Sequence, residues 1–396
     1  MGLGFGILGI GIWIPYVLWP RPLPFPGQGH AVIQIQGFLL SFIMGMLCTL
    51  LPKKLGAKPI GPGPFALFPI GISVLLVLAL FHATLESQIV HLILIANFLI
   101  FGFRPGSPRP KLAATAVPFI ALALGADLVG TLLGIGSATG SLGAAWARAG
   151  ALLQFQAFPL LMLMGLGGIF LPGIFGTEIG SVGTGKGSAG RRWESAAAIG
   201  LGLFFLASYA IEAWGKTASH GFGPLRLAYA IRAGVWTWFL FRRIRIHKVT
   251  VKLPTYLKAI RGSLFATGVG MTMPITIPIH LLAWEHIIFI TGFLWFTIGA
   301  AAHLIVTRRG RMDVLLNHPL KAKAMRSLRF LAIFARVSSD LWVGRYWMLM
   351  GLAAALAPIA GSAASAACSV PPDALPVPLP NAEAAAAMRI GSMADG

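Results

Sequence analysis

Nine histidines occur in this 396-residue chain, and six of them stand at or near the ends of apolar runs: His30, His82, His91, His220, His280 and His286. A neutral imidazole offers one lone pair to a transition metal or to haem iron while its other ring nitrogen is held by a hydrogen bond. One histidine at a helix end is usually an interfacial anchor, whereas six at one depth on converging helices predict metal or haem ligation. His247, His303 and His318 fall toward the opposite ends of their runs. The cysteines offer little: Cys48 lies inside an apolar run and Cys368 in a Pro/Ala-rich tail. Two such distant thiols make no disulfide framework and no CxxC metal site, and Cys48 reads as a small buried hydrophobe.

Charges inside the apolar runs are the second chemical signal. Asp127, Glu212 and Arg232 lie within them, Arg148 opens one, and Arg336 and Asp340 stand four residues apart. A charge at a helix centre costs on the order of 3 kcal/mol on insertion scales, so each needs a partner. Arg232 is expected to pair with Asp127 or to clamp an anion such as a haem propionate. Arg336 and Asp340 share one helical face and are expected to pair. Gln34, Gln88 and Glu285 are close enough in sequence to the histidines to orient their rings.

The elements that must position these groups follow from composition. Hydrophobic residues make up 57% of the chain and charged ones 11%, with a mean hydropathy of +0.81. A soluble domain carries about 25% charged residues, so most of this surface faces lipid. A window of about 20 residues gives twelve apolar spans: 3–19, 32–51, 65–82, 86–103, 112–135, 145–171, 195–214, 223–241, 262–281, 284–306, 326–343 and 345–361. The first has no Lys or Arg before it and reads as a span rather than a signal peptide. The expected fold is an all-α integral membrane bundle over 1–361, followed by a disordered Ala/Pro-rich tail over 362–396.

Basic residues collect after every second span: Lys53, Lys54 and Lys58; Arg104, Arg109 and Lys111; Lys186, Arg191 and Arg192; Arg242 to Lys258; Arg308 to Lys323. Basic loops stay in the cytoplasm, which places both termini there and the six histidines near the external side. The formal charge of +20 is thereby accounted for by topology signals and anionic-lipid contacts, not by nucleic acid. Two glycine motifs are rejected. "GFGILG" (4–9) lies in an apolar span with no strand before it, and "GSVGTGKG" (180–187) has Gly187 where Ser or Thr should hold magnesium. The spacings Gly130–Gly134 and Gly136–Gly140 serve close helix packing. In the second span His30, Gln34, Gly37 and Ser41 form a polar stripe at helical spacing, expected to face the bundle interior.

Two blocks carry a family resemblance. "HAVIQIQGFLLSFIMGMLCTLLPKKLGA" (30–57) resembles the second-helix signature of the NnrS family, matching it at His30, Ala31, Gly37, Phe38, Thr49 and Pro52. "HIIFITGFLWFTIGAAAHLIVTRRGR" (286–311) is similar to that family's late helix at His286, Gly292, Gly310 and Arg311. Val32 and Ile33 stand where the family has a second histidine and a glutamate, and His303 and Arg308 where it has an arginine and a histidine. The resemblance implies a multispanning protein of the bacterial inner membrane that holds haem and copper and serves nitric-oxide tolerance. It carries over His30 and His286 as metal positions, with nitric oxide or a related small molecule as ligand. The alternative is a twelve-helix secondary transporter with a buried charged pathway. An oxidase or nitric-oxide reductase subunit would need adjacent histidines and a His-x-His pair, which the sequence lacks, so enzymatic activity is not expected.

Overall fold

An apolar run in hydrocarbon must satisfy its own backbone, and a helix does so within one segment. Every regular element of the computed structural model is helical among the residues it describes: 2–18, 27–49, 60–102, 116–177, 188–217, 221–249 and 255–308, with 52, 253 and parts of 327–356. In chain order these are α1 (2–18), α2 (27–49), α3 (Pro62–Leu80), α4 (Thr84–Gly102), α5 (Ala116–Ala138), α6 (Ala144–Ile174), α7 (Ser188–Thr217), α8 (223–244), α9 (Thr255–Thr276) and α10 (278–308). Seven of them, α2 to α7 and α10, are long and apolar enough to cross a membrane. The chain is an all-α, multi-pass membrane protein. His220, His318, Cys368, the loop 180–187, the basic loops at 53–58, 104–111 and 309–323, and the tail 362–396 lie outside the described residues.

Helices adjacent in sequence pack on one another: α1 on α2, α3 on α4, α4 on α5, α5 on α6, and α7 through α10 in turn. The lipid face is legible on α3. Leu67, Ile70, Val74, Val77 and Phe81 are exposed, while Phe68, Ile72, Leu75 and Ala79 are buried. Both sets recur at three- and four-residue steps, so one helix shows an apolar stripe to each environment. At the other extreme α6 is enclosed, with Leu160 to Gly168 all buried.

The expected spans differ from the helices where proline and glycine act. α1 breaks at Ile12 into Gly2–Gly11 and Trp13–Leu18. The turn expected near 282 lies instead after Thr276, because Pro278 lacks an N–H and pushes Ile277 out of the helical region. His280 and His286 therefore do not bracket a turn; both belong to the start of α10.

Four helices carry π-helical segments: Ile33–Leu39 in α2, Leu153–Ala157 in α6, Phe239–Ile244 in α8 and Ile287–Leu294 in α10. Three of these come four helices apart and have related sequences, "IQIQGF" (33–38), "LQFQAF" (153–158) and "IFITGF" (288–293). Each is pressed against the preceding helix at a glycine. A Cβ on Gly9 would lie 2.9 Å from Ile33 Cγ2, one on Gly130 2.7 Å from Gln154 Cγ, and one on Gly270 2.6 Å from Ile288 Cγ1. Such π segments are frequent at functional sites, and here they contain or adjoin Gln36, Gln154, Glu285 and His286.

Candidate functional site

At the start of α2, His30 Nδ1 lies 2.7 Å from the Gly9 carbonyl oxygen of α1, and the ring meets Trp13 edge-on at 5.6 Å. At the start of α10, His286 Nδ1 lies 2.7 Å from the Leu282 carbonyl oxygen one turn earlier. A carbonyl can only accept, so in both rings Nδ1 carries the hydrogen and Nε2 keeps the lone pair. Neither Nε2 makes a hydrogen bond among the described residues. Arg336 acts electrostatically on both rings, and His30 acts on His286. Arg336 Nη1 donates to Asp340 Oδ1 at 2.8 Å and to Ser339 Oγ at 2.8 Å, and Asp340 Oδ2 lies 3.8 Å from His286 Nδ1.

The polar stripe of α2 has a more local use than a pocket wall. Gln34 Nε2 donates to the Gly6 carbonyl at 2.9 Å, and Ser41 bonds back to Gly37 of its own helix. With His30 on Gly9, the stripe is the seam between α1 and α2. Gln36, two residues further, is 2% exposed, and neither of its amide atoms has a partner among the described residues.

The second cluster joins α4, α5 and α6. His91 Nε2 lies 3.0 Å from Asp127 Oδ1, with both side chains 1% exposed. Thr131 bonds the Asp127 carbonyl, and Gln154 donates to Thr131 Oγ1 and to Gln88 Oε1, both at 2.8 Å. The third cluster joins α6, α7, α8 and α10. Arg232 Nη1 meets Glu212 Oε2 at 2.7 Å and its Nε donates to Ser208 Oγ at 2.9 Å. Its guanidinium lies over the Tyr209 and Tyr229 rings, 3.6 and 4.7 Å from their centres. Lys216 pairs with the other oxygen of Glu212. Tyr229 and Gln156 both donate to Glu285 Oε1 at 3.0 Å.

Several expectations are corrected by this geometry. Arg232 pairs with Glu212, not Asp127, because Asp127 is taken by His91. Gln34, Gln88 and Glu285 orient no histidine; their partners are Gly6, Gln154, Gln156 and Tyr229. Of the histidines expected to converge, His30 is held by the Gly9 carbonyl and His286 by the Leu282 carbonyl. His91 is turned to Asp127, and His280 ends the short turn Pro278–His280. His82 is exposed in the left-handed region (φ 56°). There its N–H bonds Ala79 and the next N–H bonds Leu78, closing α3 as a C-terminal cap usually made by glycine. Tyr209, Tyr229, Gln154 and Gln156 were missed by sequence reasoning. Their signals were present: Tyr–x–x–Glu at 209–212, Tyr–x–x–Arg at 229–232 and Gln–Phe–Gln at 154–156.

A metal ion held by protein alone needs three or more ligands, and among the described residues no group of three His, Cys, Asp or Glu could hold one. Haem asks less of the protein, since the macrocycle supplies four nitrogens and needs only one or two axial ligands. No protein-family model and no curated protein sequence matches the chain.

Proposed function

We propose that this protein is a haem-binding membrane protein in which His30 and His286 supply the two axial imidazoles. The observation that carries this reading is the matched state of the two rings at two helix starts, each with Nδ1 bound to a backbone carbonyl and Nε2 free among the described residues. Such outer bonds fix the tautomer and orientation that ligation requires. A haem so held supplies one-electron exchange. The resemblance of the same two helices to the NnrS family assigns the site to tolerance of nitric oxide. In this reading the chain crosses a bacterial inner membrane twelve times with both termini cytoplasmic, and the two histidines lie at the external face. The Glu212–Arg232 pair, which would count for a secondary transporter, is closed on itself: the donors of Arg232 go to Glu212, Ser208 and two aromatic faces. We assign it to joining α7 and α8.

The test is the redox difference spectrum of protein purified in detergent after expression with added haem precursor. Sharp visible bands of a six-coordinate, low-spin haem are expected. His30→Ala and His286→Ala each lose that spectrum, and the double variant loses little more than either single. Full low-spin haem in both single variants overturns the assignment.

A further inference from the structure

A cavity of about 160 Å³ opens beside the second cluster, lined among others by His82, Ser87, Gln88, Ser137, Ala147 and Gln154. Its mouth lies where His82 and Ala138 are exposed, at the end of the bundle where α4 and α6 begin. Space of that size holds several waters. The wall nearest the interior is polar, and it is under-bonded. Ser87 is 3% exposed, and its hydroxyl has no hydrogen-bond partner among the described residues. Four residues on, hence on the same face of α4, comes His91. Its Nδ1 and the Oδ2 of Asp127 are likewise buried without partners among the described residues. Thus a cavity with a partly polar wall, an unbonded hydroxyl and an imidazole with a vacant ring nitrogen follow one another along α4. Asp127 stands opposite to hold the charge that would form.

We propose that the cavity and the His91–Asp127 pair form a proton-binding site, filled by water through the cavity, in which His91 takes the proton and Asp127 stabilises the imidazolium. This site is independent of the haem assignment. With Nε2–H donated to Asp127 Oδ1, the free lone pair is on Nδ1. One proton arriving there through Ser87 and the cavity water converts a buried carboxylate with a neutral imidazole into an ion pair. No bond breaks and no oxidant or reductant takes part. Seven residues from Thr84 put His91 about 10 Å into α4, and eleven from Ala138 put Asp127 about 16 Å into α5, at 1.5 Å per residue. The proton is therefore stored about a third to a little over half of the way across a core of about 30 Å.

Few other charges face the pair. α3 carries no titratable side chain, and Glu86 on α4, His82 in the α3–α4 turn and Arg148 on α6 are exposed. His30 on α2 is tied to Gly9. α7, packed on α5, carries Arg192, Glu194, Glu212 and Lys216, of which Glu212 and Lys216 pair with each other and Arg232 is paired to the same glutamate.

The experiment is nitrogen NMR of histidine-labelled full-length protein in lipid nanodiscs, with the His91 ring assigned by comparison with His91→Gln. The His91 ring is expected to take up and release a proton reversibly as the medium is acidified and restored. Asp127→Asn removes the opposite charge and is expected to cut the protonated fraction at least tenfold. Two milder variants probe the path. Ser87→Ala and the cavity-filling Ala147→Leu are expected to slow re-protonation after a pH jump by tenfold or more while leaving the other histidines unchanged. A His91 ring that keeps one protonation state throughout overturns the proposal. So does an unchanged protonated fraction in Asp127→Asn, or an unchanged rate in both path variants.

Discussion

Removing the carboxylate of Glu212 should be among the most destabilising single changes in this protein, and worse than removing its partner. Glu212 and Arg232 are 0% and 1% exposed, and their charged atoms are 2.7 Å apart. Breaking a buried pair from one side costs about 3–5 kcal/mol, because the remaining charge stays buried. The two sides are not equivalent. In Glu212→Gln, Arg232 keeps only neutral partners: the Ser208 hydroxyl and carbonyl and two aromatic faces. In Arg232→Met, Glu212 keeps Lys216, and what is lost besides the pair is the cation–π attraction, about 2 kcal/mol for a desolvated site. Glu212→Gln is therefore expected near the top of the 3–5 kcal/mol range and Arg232→Met near the bottom. The double variant Glu212→Leu with Arg232→Met buries no unpaired guanidinium and should recover at least half of the larger loss. Unfolding of the purified protein in mixed micelles of rising denaturing-detergent fraction, followed by tryptophan fluorescence, measures the three differences. Equal losses in the single variants, or an additive double variant, would refute the view that Arg232 depends on Glu212 for its one charged contact among the described residues.

Three further outcomes follow. His82→Gly and His247→Ala should leave haem content unchanged, because His82 serves a helix cap and His247 stacks on Phe241 at 5.7 Å; the difference spectrum checks both. Gly130→Ala should destabilise by about 1–3 kcal/mol through overpacking, since its Cβ would meet the Gly150 carbonyl at 2.9 Å as well as Gln154, whereas Gly125→Ala, with nothing within 4 Å, should be neutral. Reporter fusions after Lys58 and after Lys216 should report opposite sides of the membrane, as the alternation of basic loops requires.

How much of this was legible beforehand depends on range. The class of the protein follows from composition, and helix positions follow from run length, because backbone satisfaction in lipid is a local demand. The break at Ile12 and the early turn at Pro278 were less legible, since a window of 20 residues averages over one proline or glycine. Pairing was the least legible part. The sequence shows that Asp127, Glu212 and Arg232 need partners, but Arg232 finds Glu212 through the packing of α7 on α8, while His91 reaches Asp127 only because α4 packs on α5. Local pairs were readable: Arg336 and Asp340 lie one turn apart and meet at 2.8 Å. The histidines divide along the same line. His82 is explained by the chain direction at its own helix end, His91 by a distant carboxylate, His30 by the Gly9 carbonyl of α1, and His286 by the Leu282 carbonyl one turn earlier.

The π segments suggest why buried polar groups gather where they do. A π turn inserts an extra residue and leaves the helix wider, with its ladder reset, so side chains on either side of it no longer keep one strict stripe. In α2 the segment follows His30 and contains Gln34 and Gln36; in α6 it contains Gln154 and Gln156; in α10 it follows Glu285 and His286. Each segment is held by a glycine of the preceding helix at a separation too short for a Cβ, which fixes the depth and rotation of the groups beside it. Recurring four helices apart with related sequences, the same device presents imidazole from α2, amide from α6, and carboxyl with imidazole from α10. The segment in α6 has amides where the other two have histidines nearby, and its amides bond Gln88, Thr131 and Glu285. The glycine contacts thus set polar groups at a fixed depth and rotation in all three helices.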